Sequence, residues 1–171
     1  MKKVAIVGSA ESWSYAPFDD LSVEIWTFNH LMFERVPRFN RYFDLHIPYK
    51  NYYKSFPKYT EFLEDNQKKL YIMDKYPELP KAKIIRWKKL LKIFKHKYFT
   101  SSMAWILATA IVEGYDEIFL FGIDLLCTFE YEKQKPCLEY LIGYAEGKGI
   151  KVHIQESSNL MKPQALYGIE G

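Results

Sequence analysis

Residues 98–125 read YFTSSMAWILATAIVEGYDEIFLFGIDL, and their order of hydroxyls, apolar run, glycine and second apolar run decides the fold. Thr100, Ser101 and Ser102 offer capping hydroxyls, small and apolar residues over 103–113 predict a helix, and Gly114 suits its C-cap. Residues 117–121, EIFLF, then read as a buried strand ending at Gly122. The turns between these runs are so short that they leave room only for an αβ unit.

The same alternation extends in both directions. Residues 4–7 form a continuous apolar run stopped by Gly8, as a buried parallel strand requires. VEIWTF at 23–28 is rich in β-formers, and 42–45 predicts a third strand. Residues 31–35 predict a helical turn stopped by Pro37, 58–69 a helix and 70–73 a strand, with a proline-punctuated loop over 76–80. A helix over 133–148 closed by Gly149 and a strand over 151–154 complete the pattern, and the tail QESSNLMKPQALYGIEG is turn-rich without a period. No internal repeat or low-complexity tract interrupts it. Strands alternating with helices predict an α/β fold, a Rossmann-like three-layer sandwich with a mostly parallel sheet and right-handed crossovers, formed by residues 1–171 as one domain.

Composition narrows the class. A chain of 171 residues buries roughly two thirds of its unfolded surface. Its 49% hydrophobic and 26% charged residues fit a globular protein, and no apolar run reaches the length of about 18 that a membrane span needs. MKKVAIVG is too short an apolar run for the core of a signal peptide, so a cytoplasmic location with reduced thiols is expected. Cys127 and Cys137 lack the spacing of a zinc site, a disulfide between them stays open, and no metal is expected. The net charge of +3 gives no strong nucleic-acid signal, although KAKIIRWKKLLKIFKHK at 81–97 holds no acid and places its apolar residues largely on one side of a helix starting near Trp87. Aromatic residues reach 18%, an excess that suits a dense core, stacking on bases or sugars, or a wet interface.

Ligands of parallel sheets bind where the loops at the carboxyl ends of the strands converge, and four such loops carry polar chemistry. Gly8, after the first strand, permits close backbone approach, and Ser9 and Ser12 add hydroxyls, although neither GxGxxG nor a P-loop is present. Asn29, beside His30 after the second strand, carries donor and acceptor together and also suits a helix cap. Asp44 and His46 end the third strand as a candidate acid/base pair. Thr100, Ser101 and Ser102 at a helix N-terminus suit an anion as well as a cap. Gly122 and Asp124 end the strand of the quoted unit, where a carboxylate can accept from ribose hydroxyls, hold a divalent ion or cap a turn. The polar run over 130–135 overhangs the same edge or is simply solvated.

Together with AIVGSAESW (5–13) and WTFNH (26–30), the quoted stretch resembles a group of small phage-encoded Rossmann-like proteins over nearly the whole chain. Over four motifs it is more distantly similar to bacterial sialyltransferases and to pterin diphosphokinase-like proteins. The shared motifs are a Gly/Ser loop after strand one, an Asn after strand two, a Thr-Ser pair opening a helix and a Gly-Ile-Asp at a strand end. The sialyltransferases hold a cytidine nucleotide sugar with these loops, so the resemblance implies Ser9, Asn29, Thr100, Ser101 and Asp124 around a nucleotide. Their loop has Asn-Gly where this chain has Ser9 and Ala10, and their catalytic histidine lies in a later insertion that the resemblance does not match here. The resemblance thus implies binding more firmly than catalysis.

Two functional readings follow. In the first, Gly8, Ser9, Ser12, Asn29, Thr100, Ser101, Ser102, Gly122 and Asp124 capture a nucleotide-derived small molecule without turnover. A phage protein of this kind would sequester a host defence signal such as a cyclic nucleotide or an ADP-ribose derivative in the host cytoplasm. In the second, the chain is a nucleotide-sugar-dependent glycosyltransferase or a phosphotransferase, with His46 or His153 as base and Asp124 orienting a ribose or a metal. The small size of the chain and the lack of a motif for metal-bound phosphoryl transfer favour the first. No cofactor is indicated and no membrane partner is expected, whereas a homo-oligomer whose second subunit completes the pocket would use exposed aromatics.

Overall fold

The computed structural model describes residues 1–46, 55–125, 129–163 and 165–169, with 129–131 described by backbone alone. Strands β1 (Lys3–Val7), β2 (Val23–Phe28), β3 (Arg41–Asp44), β4 (Leu70–Ile72), β5 (Lys83–Ile84), β6 (Glu117–Phe121) and β7 (Lys151–Ile154) form one sheet in the order β5-β4-β3-β2-β1-β6-β7. Every neighbouring pair is parallel. The chain lays β1 to β5 outward in one direction and then returns to place β6 on the other side of β1. That reversal opens a crevice between the loops that follow β1 and β6.

Burial explains why β1 is central. Val4, Ala5, Ile6 and Val7 are fully buried, because a strand with neighbours on both edges and layers on both faces has no solvent side. Alternation sends Val4 and Ile6 into one cluster with Trp26, Ile118 and Leu120, and Ala5 and Val7 into another with Ile25 and Phe121. The first cluster lies under helices α2 (Trp87–Ile93), α3 (Ser102–Val112) and α4 (Phe129–Gly147). Over the opposite face lie the 3₁₀ segment Glu11–Tyr15, the turns of 29–36 and helix α1 (Pro57–Asp65). The protein is thus an α/β sandwich around a parallel sheet, with three helices over one face and, among the described residues, α1, the 3₁₀ segment and short turns over the other.

Helix α3 is apolar on nearly every side, with Met103, Ala104, Ile106, Leu107, Ala108, Ala110 and Ile111 all buried. A helix of that kind is stable only when enclosed, and α2 and α4 flank it. Ser101 caps its start by accepting from the Ala104 amide at 3.3 Å, and Gly114 ends it at φ +72°, a left-handed conformation that costs glycine little. The basic segment does become a helix at Trp87, but it also contributes the two-residue strand β5, too short to show a period. Helix α4 starts at Phe129, earlier than the sequence suggests, and runs through Pro136.

Among its described residues the tail has no regular element, as expected, yet it is anchored. Ser158 and Leu160 are buried, Ser158 Oγ donates to the Ile123 carbonyl at 2.8 Å, and the Asn159 amide donates to the Asp124 carbonyl at 2.9 Å. Cys137 is a free, buried thiol donating to the Tyr98 carbonyl, and Cys127 lies outside the described residues. None of the described helices is long and apolar enough to cross a membrane.

Candidate functional site

A cleft of about 640 Å³ opens at the carboxyl ends of β1, β2, β3 and β6, against the amino end of α3. Gly8, Ser9, Asn29, His46, Thr100, Ser101, Ser102, Gly122 and Asp124 all line it. These residues, far apart in the sequence, meet because parallel strands deliver their following loops to one edge. The hydroxyls of Ser9, Thr100 and Ser102 have no hydrogen-bond partner among the described residues, so they remain available to a ligand. The N-terminal amides of α3 add partial positive charge beside them.

The floor is built by two crossing loops. Gly8 N donates to the Phe121 carbonyl at 2.8 Å and Ala10 N to the Gly122 carbonyl at 3.1 Å. Ser12 is buried beneath: its Oγ donates to Asp124 Oδ1 at 2.7 Å and accepts from Gly122 N at 2.8 Å. One hydroxyl therefore fixes both the carboxylate and the backbone of the opposite loop. Leu125, the next residue, has φ +49°, a left-handed conformation costing a non-glycine residue about 1 kcal/mol or more, and the tail's bonds to Ile123 and Asp124 help to hold it.

Asn29 is also left-handed, at φ +79°. Its side-chain oxygen accepts from Leu31 N at 3.2 Å, and its carbonyl accepts from the Tyr42 hydroxyl at 2.6 Å. Turns and not a helix follow, so in place of the expected helix cap its oxygen closes a turn, with the amide nitrogen left for other contacts.

His46 approaches the cleft from the end of β3. Its Nδ1 is 3.1 Å from Asp44 Oδ1, its backbone N–H donates to the same oxygen at 3.2 Å, and the buried Tyr59 hydroxyl donates to Asp44 Oδ2 at 2.6 Å. The hydrogen bond to Asp44 raises the His46 pKa above its ordinary value, partly opposed by burial. An imidazole held in this way by a buried carboxylate keeps one tautomer and is suited to accept a proton at its other nitrogen.

Two expectations need correction. Ser12 supports the cleft from below instead of lining it, because both of its hydrogen bonds are made inward. His153 stands away from the cleft on the outer strand β7, its ring stacked on Phe119 at 4.3 Å and its Nε2 3.7 Å from Glu117. His30 packs on Phe56, with ring centroids 4.8 Å apart. Among the described residues many aromatic rings pack on one another: Phe33, Phe39, Tyr42, Tyr59 and Phe62 form one connected cluster, and Phe28 is the only Phe, Tyr or Trp among the described cleft-lining residues. Tyr49, Tyr52 and Tyr53 lie outside the described residues.

The cleft also includes groups that the motifs did not single out, namely Phe28, Met103, Ile123, Leu125 and Leu138. Gln134, part of the polar run at the start of α4, reaches the cleft, as an overhang of that run would require. Within the described residues, no three His, Cys, Asp or Glu side chains gather as metal ligands.

No protein-family model and no curated protein matches the chain. Among solved structures, it is similar to the sialyltransferase CstII from Campylobacter jejuni in complex with a substrate analogue, cytidine-5'-monophosphate. The identity is 19% and the TM-score 0.56, over 97% of this chain and 92% of that one. A complex of the same enzyme with CMP-3FNeuAc matches at 18% identity and TM-score 0.55, over 90% of this chain and 81% of that one. A sialyltransferase CST-II structure with a trisaccharide acceptor and CMP matches at 19% identity and TM-score 0.56, over 90% and 80% of the two chains. At such identities the likeness establishes a shared fold.

Proposed function

We propose that the cleft binds a nucleotide-derived small molecule, with a phosphate group at the amino end of α3 and the sugar near Asp124. The observation that carries this reading is the convergence of four loops and a capped helix N-terminus on one cleft at the reversal point of the sheet. Phosphate oxygens are acceptors only, and Ser9, Thr100 and Ser102 offer unpaired hydroxyl donors beside the helix amides. Asp124, held from below by Ser12, is an acceptor suited to sugar hydroxyls. The sialyltransferase structures of similar fold are complexes with CMP, which supports a nucleotide-derived ligand for this cleft.

A second reading, glycosyl transfer from a nucleotide sugar, is favoured by the Asp44–His46 pair at the cleft edge. Capture needs no base, whereas transfer to an acceptor hydroxyl needs one to take its proton, and His46 is the lining residue equipped for that. The narrower form of the capture reading is sequestration of a host defence nucleotide by a phage protein.

The test is a thermal-shift screen of the purified protein against CMP, CMP-sugars, cyclic nucleotides, cyclic dinucleotides and ADP-ribose derivatives, followed by denaturation and mass spectrometry of the ligand. A ligand that binds the native state at about a hundred times its Kd stabilises by about 2.7 kcal/mol, which reads as a rise of several degrees in Tm. The rise is expected to shrink in Asp124→Ala. Recovery of intact ligand supports capture, and a cleaved or transferred ligand whose yield depends on His46 supports transfer. No stabilisation by any nucleotide overturns both.

A further inference from the structure

A second cleft, of about 580 Å³, lies at the opposite end of the sheet, where the strands begin. Lys2 before β1, Arg41 at the start of β3, Lys83 at the start of β5, and Arg86 and Lys89 at the start of α2 line it, against a single lining carboxylate, Glu113. The negative groups there are already answered. Arg41 pairs with Glu113 at 2.8 Å and with Glu24 at 3.6 Å, and its guanidinium lies 4.2 Å over the Trp26 ring. Lys2 Nζ donates to the Glu113 carbonyl at 3.2 Å, meeting the negative end of α3, and sits 3.8 Å over Tyr115.

That leaves Lys83, Arg86 and Lys89 in surplus. None has a carboxylate partner among the described residues; Lys83 only hovers 5.3 Å over the Tyr71 ring. Three like charges facing one concavity repel one another, and an anion that bridges them relieves the repulsion. Arg86 adds a planar fork suited to phosphate oxygens, and the surrounding segment 81–97 is entirely free of acids. The remaining lining, with Tyr71, Ile84, Ile85, Leu90, Thr109 and Val112, shapes the concavity around the three cations.

We infer that this cleft is an anion site for a multiply charged phosphate group, separate from the nucleotide cleft and independent of what that cleft binds. Its source is either a soluble oligophosphate or a phosphorylated lipid headgroup, which present the same oxygens to the same three cations.

Tripolyphosphate titrated calorimetrically into the intact protein at roughly physiological salt serves as the first probe. One-site binding is expected. It should weaken about tenfold or more in Arg86→Gln/Lys89→Gln, because two charge-assisted contacts are removed. The comparison variant is Lys95→Gln/Lys97→Gln, which removes the same charge from the same exposed segment outside the cleft and should change affinity less than about twofold. All four positions are exposed, so both variants should melt like the wild type. The second probe is sedimentation with phosphatidylcholine vesicles containing a phosphatidylinositol phosphate. Sedimentation that is lost in the Arg86/Lys89 variant and competed by tripolyphosphate assigns the headgroup as source, and tripolyphosphate binding without sedimentation assigns the soluble one. Equal loss in both double variants, binding unaffected by either, or no binding of either probe overturns the site.

Discussion

Gly8 and Gly122 cross at the floor of the cleft beside α3 so closely that a Cβ added to either would press on the other's carbonyl oxygen, inside the 3.0 Å that real Cβ atoms keep. The atoms met are backbone, held by the hydrogen bonds that the Gly8 and Ala10 N–H groups donate to the Phe121 and Gly122 carbonyls, so they cannot swing aside. Gly8→Ala is therefore expected to destabilise by about 1–3 kcal/mol through overpacking. Gly122→Ala should cost about 1 kcal/mol more, because φ is +65° there. Chemical denaturation of the two variants checks the order: Gly122→Ala should have the lower midpoint, and wild-type stability in both would mean that the loops do not meet.

Ser12 ties the same floor from below, and Ser12→Ala removes one hydroxyl that serves two buried partners, Asp124 Oδ1 and Gly122 N. Leaving them unpaired should cost about 1–3 kcal/mol. Ser12→Thr, which keeps the hydroxyl, is expected to recover part of this. Denaturation midpoints measure the difference, and equal losses in the two variants would point to packing instead of hydrogen bonding.

How far the sequence exposes this arrangement depends on the range of the forces involved. The boundaries of Glu117–Phe121 are readable because a buried parallel strand is a short apolar run bounded by turns, and those of Val23–Phe28 because the run is rich in β-formers, whereas the edge strand Lys151–Ile154, exposed or half-buried along its length, is marked by the turn at Gly149 before it. Gly8, Asn29, Thr100 and Asp124 are readable as an edge because each follows a strand or opens a helix, and the topology does the rest. The inward turn of Ser12 is not, since its partner is 112 residues away. Nor is the anchoring of Ser158 and Leu160, which lack any period, or the two-residue strand β5. Composition alone does not divide the aromatic residues between core and ligand stacking, because a ring that packs on another ring has the same composition as one that packs on a base.

His46 offers a pH-dependent signature. Its hydrogen bond to Asp44 raises its pKa above 6.5, so the folded state holds the proton more tightly than the unfolded chain. The resulting stabilisation is fully present below pH 6.5 and is lost as pH rises through the folded midpoint. In an NMR titration of the imidazole protons, the His46 midpoint should lie above 6.5 and fall in Asp44→Asn. A midpoint unmoved by that substitution would exclude the carboxylate as its cause.

The loop that carries Asp124 is held not only by Ser12 but also by the tail. Ser158 Oγ bonds to the Ile123 carbonyl, Asn159 N bonds to the Asp124 carbonyl, and between them they fasten both sides of a turn whose next residue, Leu125, is strained. Neither Ser158 nor Asn159 lines the cleft. Ser158→Ala should nevertheless lower stability by about 1 kcal/mol, through the lost hydrogen bond, and loosen the position of Asp124. If the cleft binds a nucleotide through that carboxylate, affinity should fall several-fold in Ser158→Ala, because a loop that has to be ordered on binding draws on binding energy. Leu160→Ala, which removes the buried anchor of the same segment, should cost about 2–4 kcal/mol and weaken binding in the same direction. Titration of both variants with the best ligand from the thermal-shift screen, alongside their melting curves, separates the effects: lower stability with unchanged affinity would show that Ser12 alone sets the loop.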